Sequence, residues 1–337
     1  MIRLPDVAVS LLRCPVCREG LVIANEGLRC KDQACGARFP IIDGIPVLIN
    51  NLTSIFSIED FVLHRTTTLA TGKPSRLKAF LKKILGARGF EWLKLTVHRS
   101  LPSIDKNIKG DENYARLAKL LTETSGTPLV LVMGGGVLGQ GMAGLMRNTS
   151  IRVVESDVSF GPRTGIILDA HDIPFADGTF DAVVAQAVLE HVADPYRCVD
   201  EMHRVLKKGG LIYAETPFMQ QVHGGRYDFT RFTHLGHRRL FRRFEEIDSG
   251  IVCGPGMALA WAYQYFLTSL VMSLPLRAAA RLFARFTSFY LKYFDPYLAR
   301  KVGAYDAASG FYLLGRRAES PISDRDLIKL YRGLEPH

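Results

Sequence analysis

Four cysteines stand near the N-terminus: Cys14, Cys17, Cys30 and Cys35. The first two form a tight C-x2-C turn, Cys14-Pro15-Val16-Cys17. Twelve residues lead to Cys30 and four more to Cys35. Thiolates spaced this way can close a tetrahedral zinc site, each pair on its own knuckle. A complete set of four ligands leaves no open coordination position, so such a zinc is structural. A unit of about 40 residues rarely holds together without a staple of this kind. Four reduced structural thiols are the plainer alternative. Cys198 and Cys253 are isolated.

A second group sits in "LVMGGGVLGQG", residues 131–141, where an apolar run enters Gly134, Gly135, Gly136 and Gly139. Read alone, this is the G-x-G-x-x-G of a dinucleotide site. It also suits a loop that holds S-adenosylmethionine (SAM), or a plain tight turn. An acid about 20 residues further on is expected to bond ribose hydroxyls. Glu155 and Asp157 both qualify, so this spacing leaves NAD and SAM open.

The elements that must position these groups are legible in outline. The chain has 337 residues, enough for one large domain and a smaller one at roughly 150 residues per domain. Residues 8–50 read as a compact cysteine-bearing module and 51–111 as a basic helical connector. From 112 to 256 strand and helix patterns alternate: "PLVLVM", "SIRVVES", "GIILDA", "FDAVVAQ", "GLIYAET" and "FEEIDSGIV". An apolar, helical insert covers 257–301, and "SGFYLLGRR" returns as a strand, completing the domain over 302–318. Such alternation predicts a mostly parallel α/β sheet with helices on both faces and ligands beyond the strands' carboxyl ends. No internal repeat or low-complexity tract interrupts it. The net charge of +10 favours an anionic partner, nucleic acid or an acidic membrane face. The start lacks the order of a secretory signal, so the expected location is cytoplasmic, with peripheral contact at the inner membrane face.

The stretch 169–210 separates the cofactor readings. Its parts "DIPFADGTFD", "VLEHVADP" and "HRVLKKGG" resemble, in order and spacing, the class I SAM-dependent methyltransferases related to ubiquinone and menaquinone biosynthesis enzymes. The resemblance covers about 112–250 and returns at 308–317. "LLRCPVC" and the closing "FPIIDGIPVLI" resemble a Trm112-like zinc ribbon over about 8–49. The first resemblance implies a Rossmann-like sheet and SAM as cofactor. Gly134, Gly135 and Gly136 then let the backbone approach it, Asp157 accepts from the ribose hydroxyls, Asp169 and Ala170 meet the adenine edge, and Gln186 lies near the methyl group. The family commonly has an acid two residues before the first glycine, where this chain has Val132.

Methyl transfer from a sulfonium needs acceptor and methyl held in line, a proximity effect worth up to about 7–11 kcal/mol. "TPFMQQVHGGRYDFTRFTHLGHRRLF" is expected to rim the acceptor pocket. His223 or Asp228 is a candidate base, and Tyr227 and Arg231 are candidate acceptor contacts. An ion pair between Asp228 and Arg231 that only shapes the loop is the alternative. His191 is expected to orient the loop.

Residues 257–276 carry no charge over 20 residues, a length that could span a bilayer, although the chain must return to its sheet. In 278–294, Arg281, Arg285, Ser288 and Lys292 form one polar stripe opposite Leu282, Phe283, Phe286, Phe289, Tyr290 and Tyr293. That pattern suits a helix lying in a membrane interface, or one packed on its own domain or a second subunit. "RLKAFLKKILGARGFEWLK" in the connector is a second basic amphipathic stretch. The leading expectation is a SAM-dependent methyltransferase acting on a small or lipid-linked, quinone-like or glycan acceptor near a membrane. The alternatives are an rRNA or tRNA methyltransferase with a zinc ribbon, and a non-catalytic SAM-fold binding protein.

Overall fold

The computed structural model describes residues 2–24, 27–64, 83–86, 89 and 101–335. The basic amphipathic stretch of the connector lies almost entirely outside these residues. Two sheets form. A small antiparallel one joins β1 (Leu21–Ala24), β2 (Gly27–Cys30) and β3 (Arg38–Phe39). The large one has nine strands, β4 (Ile41–Ile42), β5 (Ile45–Leu48), β6 (Leu129–Met133), β7 (Arg152–Asp157), β8 (Ile166–Leu168), β9 (Phe180–Gln186), β10 (Leu206–Pro217), β11 (Phe244–Cys253) and β12 (Gly310–Arg317), in the order β11-β12-β10-β9-β6-β7-β8-β5-β4. Strands β5 to β10 run parallel to one another, while β4 is antiparallel to β5 and β12 is antiparallel to both β10 and β11. This is a Rossmann-like α/β fold with a mixed sheet.

The core follows the two-residue period of a strand. Leu131, Met133, Val183 and Ala185 enter one apolar cluster, and Val130, Val132, Ala182 and Val184 enter another on the opposite face. Helix α1 (Gly110–Thr124) covers the second face with Tyr114, Leu117, Ala118 and Leu121, one helical stripe. On the first face, α2 (Pro195–Val205) buries Cys198, Val199, Met202 and Val205. Its start is set by Pro195 and by Asp194, whose carboxylate accepts from the Arg197 N–H at 3.1 Å.

The cysteine-bearing region is not a separate body. Its strand β5 pairs with β8 inside the large sheet, at Val47 with Ile167 and Leu48 with Leu168. Its apolar residues Leu12, Leu28 and Phe39 belong to the same cluster as the first sheet face. Arg18 crosses the seam, donating to Glu201 at 2.8 Å and to the Ile173 carbonyl at 3.1 Å. Burial pushes the Glu201 carboxyl up, but hydrogen bonds from Arg204 and Arg18 outweigh it and hold the group below its ordinary range.

Between β11 and β12 the insert folds as two helices, α4 (Pro255–Ser269) and α5 (Leu274–Ser288), after α3 (His234–Leu240). The uncharged 257–276 run is broken between α4 and α5, and among the described residues no helix is long and apolar enough to cross a membrane. The polar stripe is split: Arg281 is exposed, and the stripe's C-terminal part packs inward. Ala284, Ser288 and Lys292 face inward, and Phe283, Phe286, Tyr290 and Tyr293 face solvent. The physical reason is close approach: small side chains at 284 and 288 let α5 lie against α4. The Lys292 ammonium donates to the Ser103 carbonyl. Asp295, fully buried, accepts from the Gly256 and Met257 N–H groups at 2.7 and 3.1 Å and so caps α4 from outside it.

Candidate active site

The order of strands reverses between β6 and β9, and open α/β sheets hold ligands in the crevice at such a point. There a cavity of about 190 Å³ opens. Its floor is the turn Met133–Gly134 and the strand end Ser156–Val158, and its far side is Leu168–His171. Ile55 and Phe56, from just beyond the cysteine-bearing region, close it with Tyr227, whose ring stacks on Phe56 at 5.8 Å.

The glycine turn is shaped by close approach. Gly134 has φ +69°, and a Cβ there would meet Val188 Cγ2 at 2.7 Å. At Gly136 a Cβ would meet Asp157 Oδ2 at 2.6 Å. The Gly135 N–H donates to the Ser156 carbonyl at 2.8 Å, pinning the turn to β7. The two candidate acids part company here. Glu155 pairs with Arg163 at 2.5 Å, whereas Asp157 borders the cavity. Asp157 accepts from Gly136 N–H at 3.0 Å and from the Ser159 hydroxyl at 2.8 Å, which leaves lone pairs on both oxygens. Burial raises its carboxyl pKa, and these hydrogen bonds work against the rise.

Asp169 and Ala170 also border the cavity. Asp169 is held by the His171 N–H at 3.0 Å, the His171 ring at 2.5 Å and the Ser54 hydroxyl at 2.5 Å. Burial opposes its ionisation, but the His171 contacts prevail and lower its pKa. Gln186 ends β9 but turns aside, donating to the Gln140 carbonyl at 3.0 Å and to Glu215 at 2.8 Å. A Cβ at Gly139 would overlap the Gln186 amide oxygen. Ala187, next in sequence, has φ +53°, a costly backbone for alanine at the cavity wall.

Among the candidate acceptor residues, Tyr227 reaches the cavity. Asp228 and Arg231 form the ion pair of the alternative reading, at 2.5 Å, and Asp228 also accepts from the His223 and Gly224 N–H groups at 2.8 and 3.0 Å. Burial alone would raise the Asp228 pKa; Arg231 and these N–H groups hold it well below the carboxylate range, which makes it a poor base. The bonds it makes tie the loop together. His223 lies beside His191, their ring centroids 5.0 Å apart, and His191 borders the cavity.

Sequence reasoning missed two buried acids. Glu190 is fully buried, and burial pushes its carboxyl up to about 8. Glu215 lies on the sheet face that holds Val132, bonded to Tyr213, Gln186 and Asn107, and burial raises its pKa too. Glu190 stood in the quoted "VLEHVADP", but nothing local marked its side chain as buried. Ser54–Phe56 were missed because a hundred residues separate them from the strands they meet.

The four N-terminal sulfurs converge. Cys14 and Cys35 are 3.8 Å apart, Cys17 and Cys30 3.3 Å, and all four lie within 4.8 Å of one another. Tetrahedral zinc with sulfurs at 2.3 Å sets them about 3.8 Å apart. The set is compatible with a zinc module.

Parts of the chain are similar to known proteins. A family model described as "Methyltransferase domain" matches residues 134–214. An uncharacterized methyltransferase of Mycobacterium sp. (strain KMS) is 33% identical over 147 residues, 40% of this chain, and the chain spans 58% of that relative's length. A phosphatidylethanolamine N-methyltransferase of Cereibacter sphaeroides is 49% identical over 51 residues, 15% of this chain and 25% of that one. Among solved structures, Haemonchus contortus phosphoethanolamine N-methyltransferase 2 in complex with SAM aligns with a TM-score of 0.39 at 14% identity, covering 62% of this chain and 53% of that one. The matched segment runs from the glycine turn into β10, so most of the cavity at the strand reversal is built by the segment that matches a methyltransferase domain.

Proposed function

We propose that the chain is a SAM-dependent methyltransferase whose acceptor is an amphiphilic, lipid-linked molecule met at an anionic membrane surface. The observation that carries the first half is the cavity between Gly134, Asp157 and Ala170. Its residues fit the cofactor. The glycine turn is a cradle that a Cβ would fill, Asp157 retains acceptor capacity for ribose hydroxyls, and Phe56, Val158 and Leu168 supply apolar walls for a purine. SAM supplies an electrophilic methyl group already activated by the sulfonium charge. The chain's own residues bind, align and exclude water: Ile55, Phe56 and Tyr227 lie over the cavity, and the Asp228–Arg231 pair fixes the loop that carries Tyr227.

The second half rests on the insert. The Tyr265 hydroxyl donates to the Val222 carbonyl at 2.5 Å, and Trp261 packs on His223 at 5.8 Å, so α4 lies directly over the acceptor loop. Its partner α5 exposes Leu274, Leu276, Phe283 and Phe286 beside Arg277 and Arg281, an apolar face with adjoining positive charge. Such a face suits the headgroup boundary of an anionic bilayer. The relative from Cereibacter sphaeroides, named for a phospholipid acceptor, fits this reading. Zinc in a Trm112-like ribbon would hold the cysteine-bearing region against β8 and the cavity's Ser54–Phe56 wall.

Calorimetry tests the cofactor: SAM binds wild type and is lost in Gly136→Val, where the side chain strikes Asp157. Preference for NADH over SAM would overturn the assignment. Incubation with methyl-labelled SAM and separate lipid and RNA fractions tests the acceptor. Label in the lipid fraction supports the reading, and label in RNA alone replaces it with the RNA methyltransferase.

A further inference from the structure

A cluster of lone pairs next to the cavity is unexplained by methyl-donor binding. Glu190 is fully buried, and neither carboxylate oxygen has a hydrogen-bond partner. An unpaired buried carboxylate is costly. Two imidazoles face it: His191 Nε2 lies 3.8 Å and His223 Nε2 3.9 Å from Glu190 Oε1.

The other ring nitrogens fix the tautomers. His191 Nδ1 is 2.7 Å from the Tyr227 carbonyl, and His223 Nδ1 is 3.2 Å from the Gln221 carbonyl with Asp228 Oδ2 beyond it at 3.7 Å. Carbonyls only accept, so each Nδ1 carries the proton and each Nε2 presents a lone pair. Two imidazole lone pairs and the Glu190 carboxyl thus converge within 4.8 Å, and the two rings offer it no N–H. Backbone carbonyls on the far nitrogens are the usual support of metal-binding histidines. The close fit is built in: a Cβ at Gly224 would meet the His191 ring at 2.5 Å, so only glycine lets the His223 loop approach.

We propose that Glu190, His191 and His223 bind a divalent first-row transition cation. Two imidazoles and one carboxylate suit Mn²⁺, Fe²⁺ or Zn²⁺. Ligands about 2.1 Å from such an ion stand about 3.0–3.4 Å apart, so the two carboxylate–imidazole separations of 3.8 and 3.9 Å must shorten by about 0.4–0.9 Å and the imidazoles must close in from within 4.8 Å. Three protein ligands leave open positions. His191 borders the cavity and His223 touches Trp261 of the insert, so the ion sits where cavity and insert meet. Its open positions take an oxygen of a ligand in that space, and its charge favours the ionised form of an acceptor hydroxyl. The nearby Arg231 charge is matched by its pair with Asp228. The proposal goes beyond methyl transfer and is read without it.

Mn²⁺ is the probe, because it prefers oxygen and nitrogen ligands and leaves the cysteine thiolates alone. The full chain is titrated with Mn²⁺, and the free ion is followed by electron paramagnetic resonance. The expected result is one Mn²⁺ per chain, with affinity at least tenfold weaker in both Glu190→Gln and His223→Ala. Pulsed measurements on wild type should show coupling to two imidazole nitrogens, a readout that stands even where a variant folds poorly. No bound Mn²⁺, or binding without nitrogen coupling and unchanged in both variants, overturns the site and leaves a proton shared between Glu190 and a histidine.

Discussion

The cysteine-bearing region and the helical insert are both additions to one sheet, yet they are joined to it differently. The former shares the sheet's apolar cluster, adds β5 to its edge and is clamped by the buried Glu201 carboxylate. Its exposed apolar side chains, such as Val16 and Ile23, are scattered. The insert reaches the rest of the chain through polar contacts: Trp261 to Asp105 at 2.7 Å, Tyr265 to Val222 and Lys292 to Ser103. It leaves a continuous row exposed, with Met272 at 96%, Leu274 at 79% and Phe283 at 57%. One region completes the core. The other completes a surface, and large exposed apolar patches mark sites that meet something else.

The strongest way to break the comparison is to remove the cysteine staple. Metal binding and folding are coupled, and structural zinc is worth on the order of 10 kcal/mol in small modules. Cys14→Ser with Cys17→Ser is expected to lose one zinc per chain and hydrogen-exchange protection over the first 50 residues. Because Ser54 bonds Asp169 and Phe56 closes the cavity, SAM affinity should fall as well. Protection in the insert should be unchanged. A variant that keeps full metal content by elemental analysis rules out the ligand set.

Acid should separate the two regions in the opposite sense. His234 packs on Tyr305, on the chain's return from the insert, at 5.0 Å, and its neighbour His237 is buried behind it. Burial, with nearby positive charge, lowers their pKa values to about 4 and about 3. A depressed pKa means that the unfolded chain takes up protons first. The stability is fully present above about 6.5, the unfolded value, and is lost as pH falls toward the folded values. The loss is on the order of 3 kcal/mol per histidine. The Glu201 clamp has a depressed carboxyl instead, so its contribution begins to fade only below about 4.5. Between pH 6.5 and 4.5, amides of 304–314 should lose protection while those of the cysteine-bearing region keep it. Simultaneous loss would mean that the α3–β12 packing and the cysteine-bearing region unfold as one cooperative unit.

Arg18→Ala removes one donor from Glu201 and is expected to cost about 1.5–3 kcal/mol, less than the staple because Arg204 still satisfies the carboxylate. Denaturant unfolding measures it. Lys would restore little, since one ammonium cannot span both Glu201 and the Ile173 carbonyl.

What was legible in the sequence followed how local the signal is. The strands of the main sheet, the glycine turn and Asp157 stand close together along the chain, and their spacing carries them. The choice of Asp157 over Glu155 needed the tertiary structure, because the two acids share one face of β7 and Arg163 takes the one at 155. Glu190 meets His223 only through the turn at Gly224, and Ser54 meets Asp169 only through the β5–β8 pairing. No window of sequence holds such contacts. The insert shows a subtler limit. Periodicity located the stripe Arg281–Lys292 but not which side faces in, because Ala284 and Ser288 make the polar side also the side that packs closely.

The smallest effect on stability, and the sharpest test of what the insert is for, comes from its outer face. Phe283 and Phe286 are 57% and 53% exposed, so replacing both with serine deletes little that the fold buries. Stability should change by less than about 0.5 kcal/mol, as for surface sites without special contacts. Vesicle binding should respond far more. Burying a phenyl ring in an apolar phase gains about 1.5–3 kcal/mol, so losing two predicts a fall in partition of a hundredfold or more. Charge adds a separate handle: each basic side chain near an anionic surface contributes about 1 kcal/mol, screened within roughly 8 Å at physiological salt. Flotation with anionic vesicles should therefore weaken in high salt for wild type and be nearly absent for Phe283→Ser with Phe286→Ser at any salt. The exposed Arg277 and Arg281 can act at the surface, whereas Lys292, bonded to Ser103, cannot. Arg277→Glu with Arg281→Glu should thus remove the salt dependence, and Lys292→Glu should instead destabilise the insert. If wild type stays with the protein fraction on anionic vesicles and instead sediments as a dimer that the Phe283→Ser, Phe286→Ser variant dissolves, the outer face is a subunit contact and the lipid-linked acceptor loses its support.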